Sequence, residues 1–472
     1  MARTVVIPSA TVGGDVAAEL SRGFDQIRAE NDVPTSFPPS VVAAAAQAAQ
    51  RSITDAHVDR TDLPFVTLDP ASSTDLDQAF TIERGTGDDL VLRYAIADVG
   101  WFVHPGDELD VEAFTRGVTT YLPDRRSGLY PPALAEGAAS LLPDGPRAAI
   151  VFIVRVAADG GVVLDGAERA VIRSRAKLAY ETAAAADLPA AFDELAARIS
   201  AAEDRRGASR VDAPEQVVEP DGQGRYRIAF RPRLSNEDAN AAMSLATNLA
   251  VADLLLAHHT GLFRVMAEPD EQSVRRLRFT AKALGLSWPE SLSLGVFQRS
   301  LEPNAPRNAA FLMAVRRAGG GADYAPYTDG VVPWHAAMAA TYCHATAPLR
   351  RLADRYVIEA ALAIANGKPV DEPVQAAFAK LPDAMDSADT RSSRVERAVI
   401  DLVEAVTLKG CEGRVYDAVV TDVDDRGARI QISDPAVVAR VNAHRVEPGD
   451  ALKVRLVGSD PSKRTVTFER IS

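Results

Sequence analysis

The spacing of apolar and polar positions changes several times along the chain, and each spacing predicts a different kind of element. Near the N-terminus, apolar residues of segment 15–27 recur every three or four positions, and an alanine-rich run follows Ser40, which predicts amphipathic helices. From about residue 62 to 175 the apolar runs are short, rich in β-branched residues and separated by Asp, Ser and Gly clusters, which predicts strands. Helical spacing returns over 178–204, 236–260, 271–285 and most of 335–409.

The C-terminal segment from Gly413 to Ser472 returns to strand spacing. Apolar and polar residues alternate there in runs that begin at Arg414, Ala428, Ala451 and Thr465. Four or five strands in so short a segment predict a small barrel of the OB type. We therefore expect a multi-domain α+β protein. Its predicted parts are a helical N-terminal region over residues 1–55, a mixed central domain over 56–410 and a barrel over 411–472.

The composition narrows the class of protein. The chain has 472 residues, of which 47% are hydrophobic, and 52 Lys+Arg against 65 Asp+Glu give a formal net charge of −13. Two cysteines are too few for a disulfide framework or a four-cysteine zinc site. The N-terminus lacks the apolar core of a secretory signal, and no uninterrupted apolar run reaches the ~18 residues of a membrane span. We therefore expect a cytoplasmic monomer without a membrane span, and the acidic balance argues at first against a nucleic-acid partner.

An acidic cluster is the sharpest local feature of the sequence. Asp69, Asp75 and Asp77 lie in a predicted loop between two strand-like runs, among small residues that allow a tight turn. Crowded carboxylates repel one another unless a cation lies between them, and hard oxygen ligands suit Mg²⁺ or Mn²⁺. Asp and Ser are also ordinary turn residues, so a plain solvated turn remains the alternative from these residues alone.

Four further blocks follow the acidic loop, and together they resemble the ribonuclease II/ribonuclease R family, whose catalytic domain is the RNB domain. The blocks begin at Tyr94, Leu129, His344 and Arg394 and stand in the family's order. The resemblance implies a metal-dependent, hydrolytic exoribonuclease that degrades single-stranded RNA from its 3′ end and releases nucleoside 5′-monophosphates, with Mg²⁺ or Mn²⁺ as cofactor. It also implies that the central domain is an RNB domain and that the C-terminal barrel is an OB-fold RNA-binding domain.

The resemblance also implies roles for residues around the acidic loop. Asp69, Asp75 and Asp77 match three of the family's four catalytic-loop aspartates and would bind the metal. Gln78 stands in the position of the fourth aspartate; its neutral amide can offer an oxygen to a metal but supplies no charge. Tyr121 matches the family's aromatic residue that stacks on the 3′-terminal base.

Arg350 matches the family's catalytic arginine near the scissile phosphate. With Thr346 as the predicted N-cap, Arg350 and Arg351 would lie near a helix N-terminus, where an anion is favoured. Asp354 is close enough in sequence to orient either arginine, so an ion pair is as good an interpretation of Arg351 as an RNA contact. We expect His344 to be structural or to contact RNA rather than to transfer protons.

The last matching block predicts a further RNA contact. Glu396 matches a family glutamate near the bound nucleotides, and Arg391, Arg394 and Arg397 recur every three residues around it. Such a basic stripe on a helix suits a phosphate backbone, although it is also the usual pattern of a solvated helix face.

Two departures from the family leave alternatives open. The family's Glu-Glu pair aligns with Ala241 and Ala242, whereas Glu237 and Asp238 lie one helical turn earlier. Typical members also begin with two cold-shock-type domains, whereas about 60 mostly helical residues precede the acidic loop here. One alternative is therefore a non-catalytic RNA-binding protein on an RNB scaffold, and another is a metal-dependent phosphoesterase that acts on DNA or a small molecule.

Overall fold

The N-terminal region is helical where the structure describes it. The computed structural model describes residues 15–54, 56–209, 215–220, 226–231, 233–302, 305–424, 427–443 and 445–471. The first fourteen residues of the predicted helical region therefore lie outside the described residues. The two helices of the region are α1 (Asp15–Glu30) and α2 (Pro39–Ala48). Pro39 occupies the first turn of α2, where its missing N–H costs no hydrogen bond.

A seven-stranded mixed sheet forms the centre of the molecule. Its strands are β1 (Val58–Asp59), β2 (Val66–Asp69), β3 (Gln78–Arg84), β4 (Leu90–Ala97), β5 (Arg147–Val156), β6 (Val162–Ile172) and β7 (Ala176–Ala179). The spatial order is β1-β6-β5-β4-β3-β2-β7, in which β1 runs parallel to β6 and β2 parallel to β7, and the other neighbours are antiparallel. Residues 70–77, here called the aspartate loop, connect β2 to β3 and therefore lie near one side of this sheet.

Helices and short strands complete the central domain. The helices are α3 (Val99–Phe102), α4 (Glu108–Arg116), α5 (Phe192–Arg206), α6 (Ser235–Ala257), α7 (Glu271–Ala283), α8 (Leu294–Arg299), α9 (Pro306–Ala318), α10 (Leu352–Ala365), α11 (Glu372–Ala377) and α12 (Leu381–Leu408). The short strands are β8 (Glu215–Pro220), β9 (Tyr226–Arg231), β10 (Leu262–Val265), β11 (Asp323–Pro326), β12 (Trp334–His335) and β13 (Ala340–Thr341).

Helix α6 packs on β4, β5 and β6 and forms the middle of the core. Its length and composition would allow it to cross a membrane, but 67% of its most apolar window is buried inside the protein. Met243, Ala246 and Val251 are fully buried among the sheet residues. The apolar character of α6 is therefore that of a core helix.

A second apolar cluster attaches α1 to the rest of the chain. Leu20, Phe24 and Ile27 of α1 pack against residues of α12, and Ile228 of β9 belongs to the same cluster. Gly23 allows the close approach of the two helices, because a Cβ at that position would overlap the methyl groups of Leu402 and would force that side chain to shift. The N-terminal helix is thus part of the packed structure.

The C-terminal segment folds as a closed five-stranded barrel. Its strands are β14 (Val415–Asp424), β15 (Gly427–Ile432), β16 (Val437–Val441), β17 (Ala451–Asp460) and β18 (Thr465–Arg470), in the order β14-β15-β16-β18-β17. Alternate residues of β17 point into the barrel, as the sequence spacing predicts. The predicted α+β class with a C-terminal barrel is confirmed.

Glu404 of α12 joins the barrel to the central domain. Its carboxylate, 2% exposed, accepts hydrogen bonds from the Val438 N–H at 2.8 Å and from the Gln216 amide at 2.6 Å. Burial raises the pKa of Glu404 to about 7, against the opposing effect of these two donors. Its favourable contribution to stability is therefore fully present below the unfolded pKa and is lost as the pH rises through about 7.

We expect Glu404→Gln to raise Tm relative to the unsubstituted protein near pH 8.5 by a few degrees and to have almost no effect near pH 4.5, because glutamine resembles the protonated acid. Thermal unfolding at both pH values measures the difference. Glu290→Gln, on an exposed side chain, is the control. An equal Tm change at the two pH values would contradict the assignment.

The segment before α10 departs from the predicted helix. The sequence spacing predicts helix over most of 335–409, but α10 begins only at Leu352, and an irregular turn precedes it. The N–H groups of Thr346 and Ala347 donate to the Asp354 carboxylate, and the Leu349 N–H donates to Asp77. Side chains thus take the backbone donors that a helix would have used. Similarly, the α-helix predicted at 178–204 begins only at Phe192, after the end of β7 and a single 3-10 turn at Ala185–Asp187.

Candidate active site

The three predicted catalytic aspartates lie together where β2 ends and β3 begins. Asp69 is the last residue of β2, Asp75 lies in the connecting loop, and Asp77 directly precedes β3. Asp69 and Asp75 are half-buried, whereas Asp77 is only 4% exposed. The short connection between antiparallel neighbours brings the carboxylates to one place.

Asp77 connects the aspartate loop to the turn before α10. One carboxylate oxygen accepts the Leu349 N–H at 2.7 Å, and the other accepts the Nε–H of Arg350 at 3.2 Å. Burial raises the pKa of Asp77 to about 7, although the charge of Arg350 and the Leu349 hydrogen bond lower it. The nearby charge of Asp75 raises it further. A buried carboxylate in this environment favours a neighbouring positive charge.

Asp69 and Asp75 differ in the hydrogen-bond donors that contact their carboxylates. Burial raises the pKa of Asp69 to about 6, the charge of Arg350 lowers it, and Asp75 raises it. Across the described part of the chain, no group donates a hydrogen bond to the Asp69 carboxylate. Asp75 instead accepts a hydrogen bond from the guanidinium of Arg126, which also donates to Thr74 Oγ1 at 2.6 Å.

The donor chemistry fits a hydrated divalent ion rather than a closed cage of protein ligands. Within the described ranges, no three His, Cys, Asp or Glu side chains are arranged to hold an ion by themselves. Mg²⁺ commonly binds through one or two carboxylates and completes its coordination with water and substrate phosphate. The charge of Asp75 raises the pKa of both Asp69 and Asp77, so the three crowded carboxylates favour a cation between them.

Both the oxygen and the nitrogen of the Gln78 side-chain amide form hydrogen bonds. Its Oε1 accepts a hydrogen bond from the Tyr94 hydroxyl at 2.7 Å, and its Nε2 donates to the Thr346 carbonyl at 2.6 Å. The Tyr94 hydroxyl also lies 2.7 Å from Ser244 Oγ on α6. Gln78 therefore links β3, β4 and α6 to the turn that carries Arg350. Its predicted role as a metal ligand stays a prediction, with one lone pair of Oε1 available for it.

The two neighbouring arginines have different environments. The Arg350 side chain is 44% exposed, and only its Nε contacts a carboxylate among the described residues. Arg351 instead donates from Nε and Nη2 to the buried carboxylate of Asp354 at 2.9 and 2.8 Å. Arg350 lies two residues before α10, and Arg351 is the residue directly before its start at Leu352. Arg351 forms the ion pair with Asp354, and its predicted RNA contact stays a prediction.

We expect Asp354→Ala to lower the free energy of unfolding by about 3 kcal/mol, because it leaves the guanidinium of Arg351 and two backbone N–H groups without their acceptor. Urea denaturation measures the loss. Asp371→Ala, on an exposed residue without a side-chain cap bond, is the control and should change stability by less than about 0.5 kcal/mol. Equal losses in the two variants would contradict a structural role for Asp354.

Tyr121 presents its ring beside the aspartates. The side chain is 53% exposed, and its hydroxyl lies 3.4 Å from Asp75. The residues before it run next to the turn at 346–351, here called the arginine turn, since the Thr119 N–H donates to the Arg350 carbonyl at 3.0 Å. An exposed ring in this position has a face available for a nucleobase.

His344 has a structural environment. Its Nδ1 lies 2.8 Å from the Tyr324 hydroxyl, and its ring packs edge-on against Tyr342. Burial, followed by the charge of Arg351, lowers the pKa of His344 well below its usual value. The imidazole is therefore neutral at ordinary pH and is not placed to serve as a proton shuttle.

The predicted basic stripe on α12 borders a groove of about 1280 Å³. Arg394, Glu396 and Arg397 are exposed and line it, between α12 and the turn that joins β17 to β18. Arg391 does not belong to this surface, because its guanidinium donates to the Arg116 carbonyl. The groove is mixed in charge, since it is also lined by Arg264, Asp323, Asp383, Asp386, Asp389, Asp401, Lys463 and Arg464.

Several residues of the site carry no local sequence signal. Arg126 binds Asp75, the Lys177 amine donates to the Ala71 carbonyl at 2.9 Å, and Asn240 donates to the Tyr180 hydroxyl at 3.0 Å. Glu237, the candidate for the displaced acidic pair, accepts hydrogen bonds from the Leu234 N–H and from Arg231. Its carboxylate therefore caps the N-terminus of α6.

Comparison with protein-family models identifies both main parts of the chain. Residues 57–364 match the model described as "RNB domain", and residues 414–471 match "RNase II-type exonuclease C-terminal S1 domain". The chain belongs to the RNB-domain family. The family match covers more than half of the chain and includes the aspartate loop, Tyr121 and Arg350.

Individual relatives agree with the family assignment. Ribonuclease R of Aquifex aeolicus is 26% identical, over 95% of this chain and 70% of the relative. The solved structure of Mycoplasma genitalium RNase R in complex with ribose-methylated single-stranded RNA has a TM-score of 0.86 at 19% identity and covers 96% of this chain and 78% of the other. Yeast Ssd1, titled a pseudonuclease, has a TM-score of 0.72 at 15% identity and covers 94% of this chain and 58% of the other. The structural likenesses establish the fold.

Proposed function

We propose that this RNB-family protein is a 3′-to-5′ exoribonuclease that hydrolyses single-stranded RNA in a metal-dependent reaction and releases nucleoside 5′-monophosphates. The observation that carries the proposal is the convergence of Asp69, Asp75 and Asp77 beside the free end of Arg350 and the exposed ring of Tyr121. The family match and the relatives named Ribonuclease R support the same activity.

The aspartates would hold the cofactor. Asp69 and Asp75 would bind Mg²⁺ or Mn²⁺, with Asp77 beside them. When bound, the ion would supply Lewis-acid activation of water and neutralise charge on the scissile phosphate. Asp77 has a second task, because its hydrogen bonds to the Leu349 N–H and Arg350 fix the arginine turn relative to the aspartate loop.

Arg350 and Tyr121 would position the substrate. The guanidinium of Arg350 is anchored through Nε, and no described residue accepts from its two terminal nitrogens, which could donate to a phosphate oxygen that gains charge during cleavage. Tyr121 would stack on the 3′-terminal base, a contact that tolerates every base because each has a π-face. Together they would place the last phosphodiester bond next to the aspartates.

The groove along α12 would take the upstream nucleotides. Arg394 and Arg397 supply positive charge there, and Tyr324, which also lines the groove, contacts His344 near the arginine turn. Phosphates would thus meet local arginines even though the whole chain carries a charge of −13. Net charge describes the far field, whereas binding depends on the groups within a few ångströms.

A single assay tests the proposal. A 5′-labelled single-stranded RNA and a DNA of the same sequence are incubated with the protein in Mg²⁺, and the products are resolved by length. We expect stepwise shortening of the RNA from its 3′ end, with nucleoside 5′-monophosphates in the soluble fraction. Internal cuts, or equal degradation of the DNA, would contradict the proposed direction or substrate.

A second candidate function is RNA binding without catalysis. Gln78 favours this function, because a neutral amide that already forms two hydrogen bonds stands in place of a fourth carboxylate. One structural neighbour, yeast Ssd1, is also described as a pseudonuclease. In the same assay this function predicts RNA that is bound yet stays intact in both Mg²⁺ and Mn²⁺.

A further inference from the structure

The loop that carries Tyr121 is attached at its base to the catalytic side of the molecule. Thr120 and Ser127 exchange backbone hydrogen bonds of 2.9 and 2.8 Å, which close the segment between them into a short loop. Arg126, at the end of that loop, binds Asp75 and donates to Thr74 Oγ1. This attachment fixes the loop ends but not the orientation of its tip.

The tip of the loop is attached to α1 by ion pairs. Arg28, only 3% exposed, donates from one terminal nitrogen to Asp124 and from the other to Asp25 at 2.9 Å. Arg125 donates to the same Asp25 carboxylate at 2.7 Å. Two consecutive residues of the loop are therefore held by charged groups one helical turn apart on α1.

An apolar contact reinforces these ion pairs. Leu122, 8% exposed, belongs to the cluster that contains Leu20, Phe24 and Ile27 of α1. Its neighbour Tyr121 is 53% exposed. Leu122 is buried against α1, whereas the ring of the neighbouring Tyr121 is half-exposed with its hydroxyl 3.4 Å from Asp75. The Leu122 contact therefore anchors the backbone directly next to Tyr121 while leaving its ring outside the cluster.

We propose that α1 is a positioning element for the 3′-terminal nucleotide. The Arg28–Asp124 pair and the Leu122 contact hold the loop in the one orientation that places the Tyr121 ring beside the aspartates. This inference rests on the proposed function, in which that ring stacks on the 3′ base. A side chain on a loop needs such support, because a displacement of about 1 Å from the productive geometry can cost on the order of 100-fold in rate.

The test uses the full chain and a short single-stranded RNA with 2-aminopurine at its 3′ end, whose fluorescence is quenched when the base stacks. Binding is measured in EDTA, so that no cleavage occurs, and kcat is measured separately in Mg²⁺. We expect Asp124→Ala to reduce the quenching toward the level of Tyr121→Ala and to lower kcat on the order of 10- to 100-fold. Arg125→Ala, which breaks an exposed pair, should shift both in the same direction by less.

Glu168→Ala is the matched control. Glu168 pairs with Arg60 on the sheet, and its side chain has the same 23% exposure as that of Asp124. Quenching and kcat in Asp124→Ala equal to those in Glu168→Ala would overturn the inference. If Asp124→Ala unfolds, unchanged quenching in Arg125→Ala overturns it instead. A protein that quenches the probe through α1 and Tyr121 but does not cleave RNA would refute the proposed function while supporting the positioning role.

Discussion

Asp77→Asn is expected to abolish the Mg²⁺-dependent shortening of single-stranded RNA, with a fall in kcat on the order of 10³-fold or more. The substitution removes a carboxylate charge at the centre of the acidic cluster while keeping the size of the side chain. The retained amide oxygen can still accept the Leu349 N–H, whereas the hydrogen bond from the Arg350 Nε–H is lost, because an amide nitrogen cannot accept it. RNA binding should remain measurable, because the groove along α12 is unchanged.

The matched control for this substitution is Asp88→Asn. Asp88 is exposed and lies in the turn between β3 and β4, at the other end of the strand that Asp77 precedes. Single-turnover kinetics with labelled RNA measures cleavage, and fluorescence anisotropy measures binding. If Asp77→Asn degraded RNA at the rate of Asp88→Asn, the assignment of the aspartate loop as the catalytic site would be wrong.

Arg350→Ala is expected to lower kcat by about 10²- to 10³-fold and to lower Tm less than Arg351→Ala does, because the Asp77 carboxyl, whose pKa is about 7, can become protonated when it loses its partner. The half-exposed guanidinium contributes one hydrogen bond to Asp77 and otherwise faces the place where substrate phosphate would lie. Preorganised donors of this kind typically account for that share of the rate. Arg350→Lys should recover only part of the loss, because an ammonium group cannot bind phosphate through two parallel donors.

The adjacent residue provides the sharpest comparison. Arg351→Ala should lower Tm strongly, because Arg351 neutralises the buried Asp354 carboxylate. The two variants are therefore expected to separate catalysis from stability at neighbouring positions. A large loss of Tm in Arg350→Ala, with kcat unchanged in the folded fraction, would contradict the division of roles.

Much of the fold was predictable because it depends on local spacing. The alternation in Ala451–Asp460 predicted a strand of the barrel, and the three- and four-residue spacing in segment 15–27 predicted α1. The prediction was wrong where tertiary contacts supply the hydrogen bonds. The turn before Leu352 has helical composition, but Asp354 and Asp77 accept its backbone donors and hold it irregular.

The sequence by itself determined the chemical inventory of the site: three carboxylates on one loop, an aromatic residue, a pair of arginines and an amide in place of a fourth acid. These are properties of residue type and order, and the family resemblance attached expected roles to them. The net charge of −13 does not exclude RNA binding, because it includes groups that would lie far from the bound RNA.

Only the tertiary structure decided which of these groups have partners within the protein and which could contact a substrate or a metal ion. Asp77 meets Leu349 and Arg350 across 272 and 273 positions of the chain, Arg351 is taken up by Asp354, and Arg28 reaches Asp124 across 96 positions. Contacts between distant segments follow from packing of the whole chain, since hydrogen bonds and ion pairs act over a few ångströms of space and leave no pattern in the local sequence.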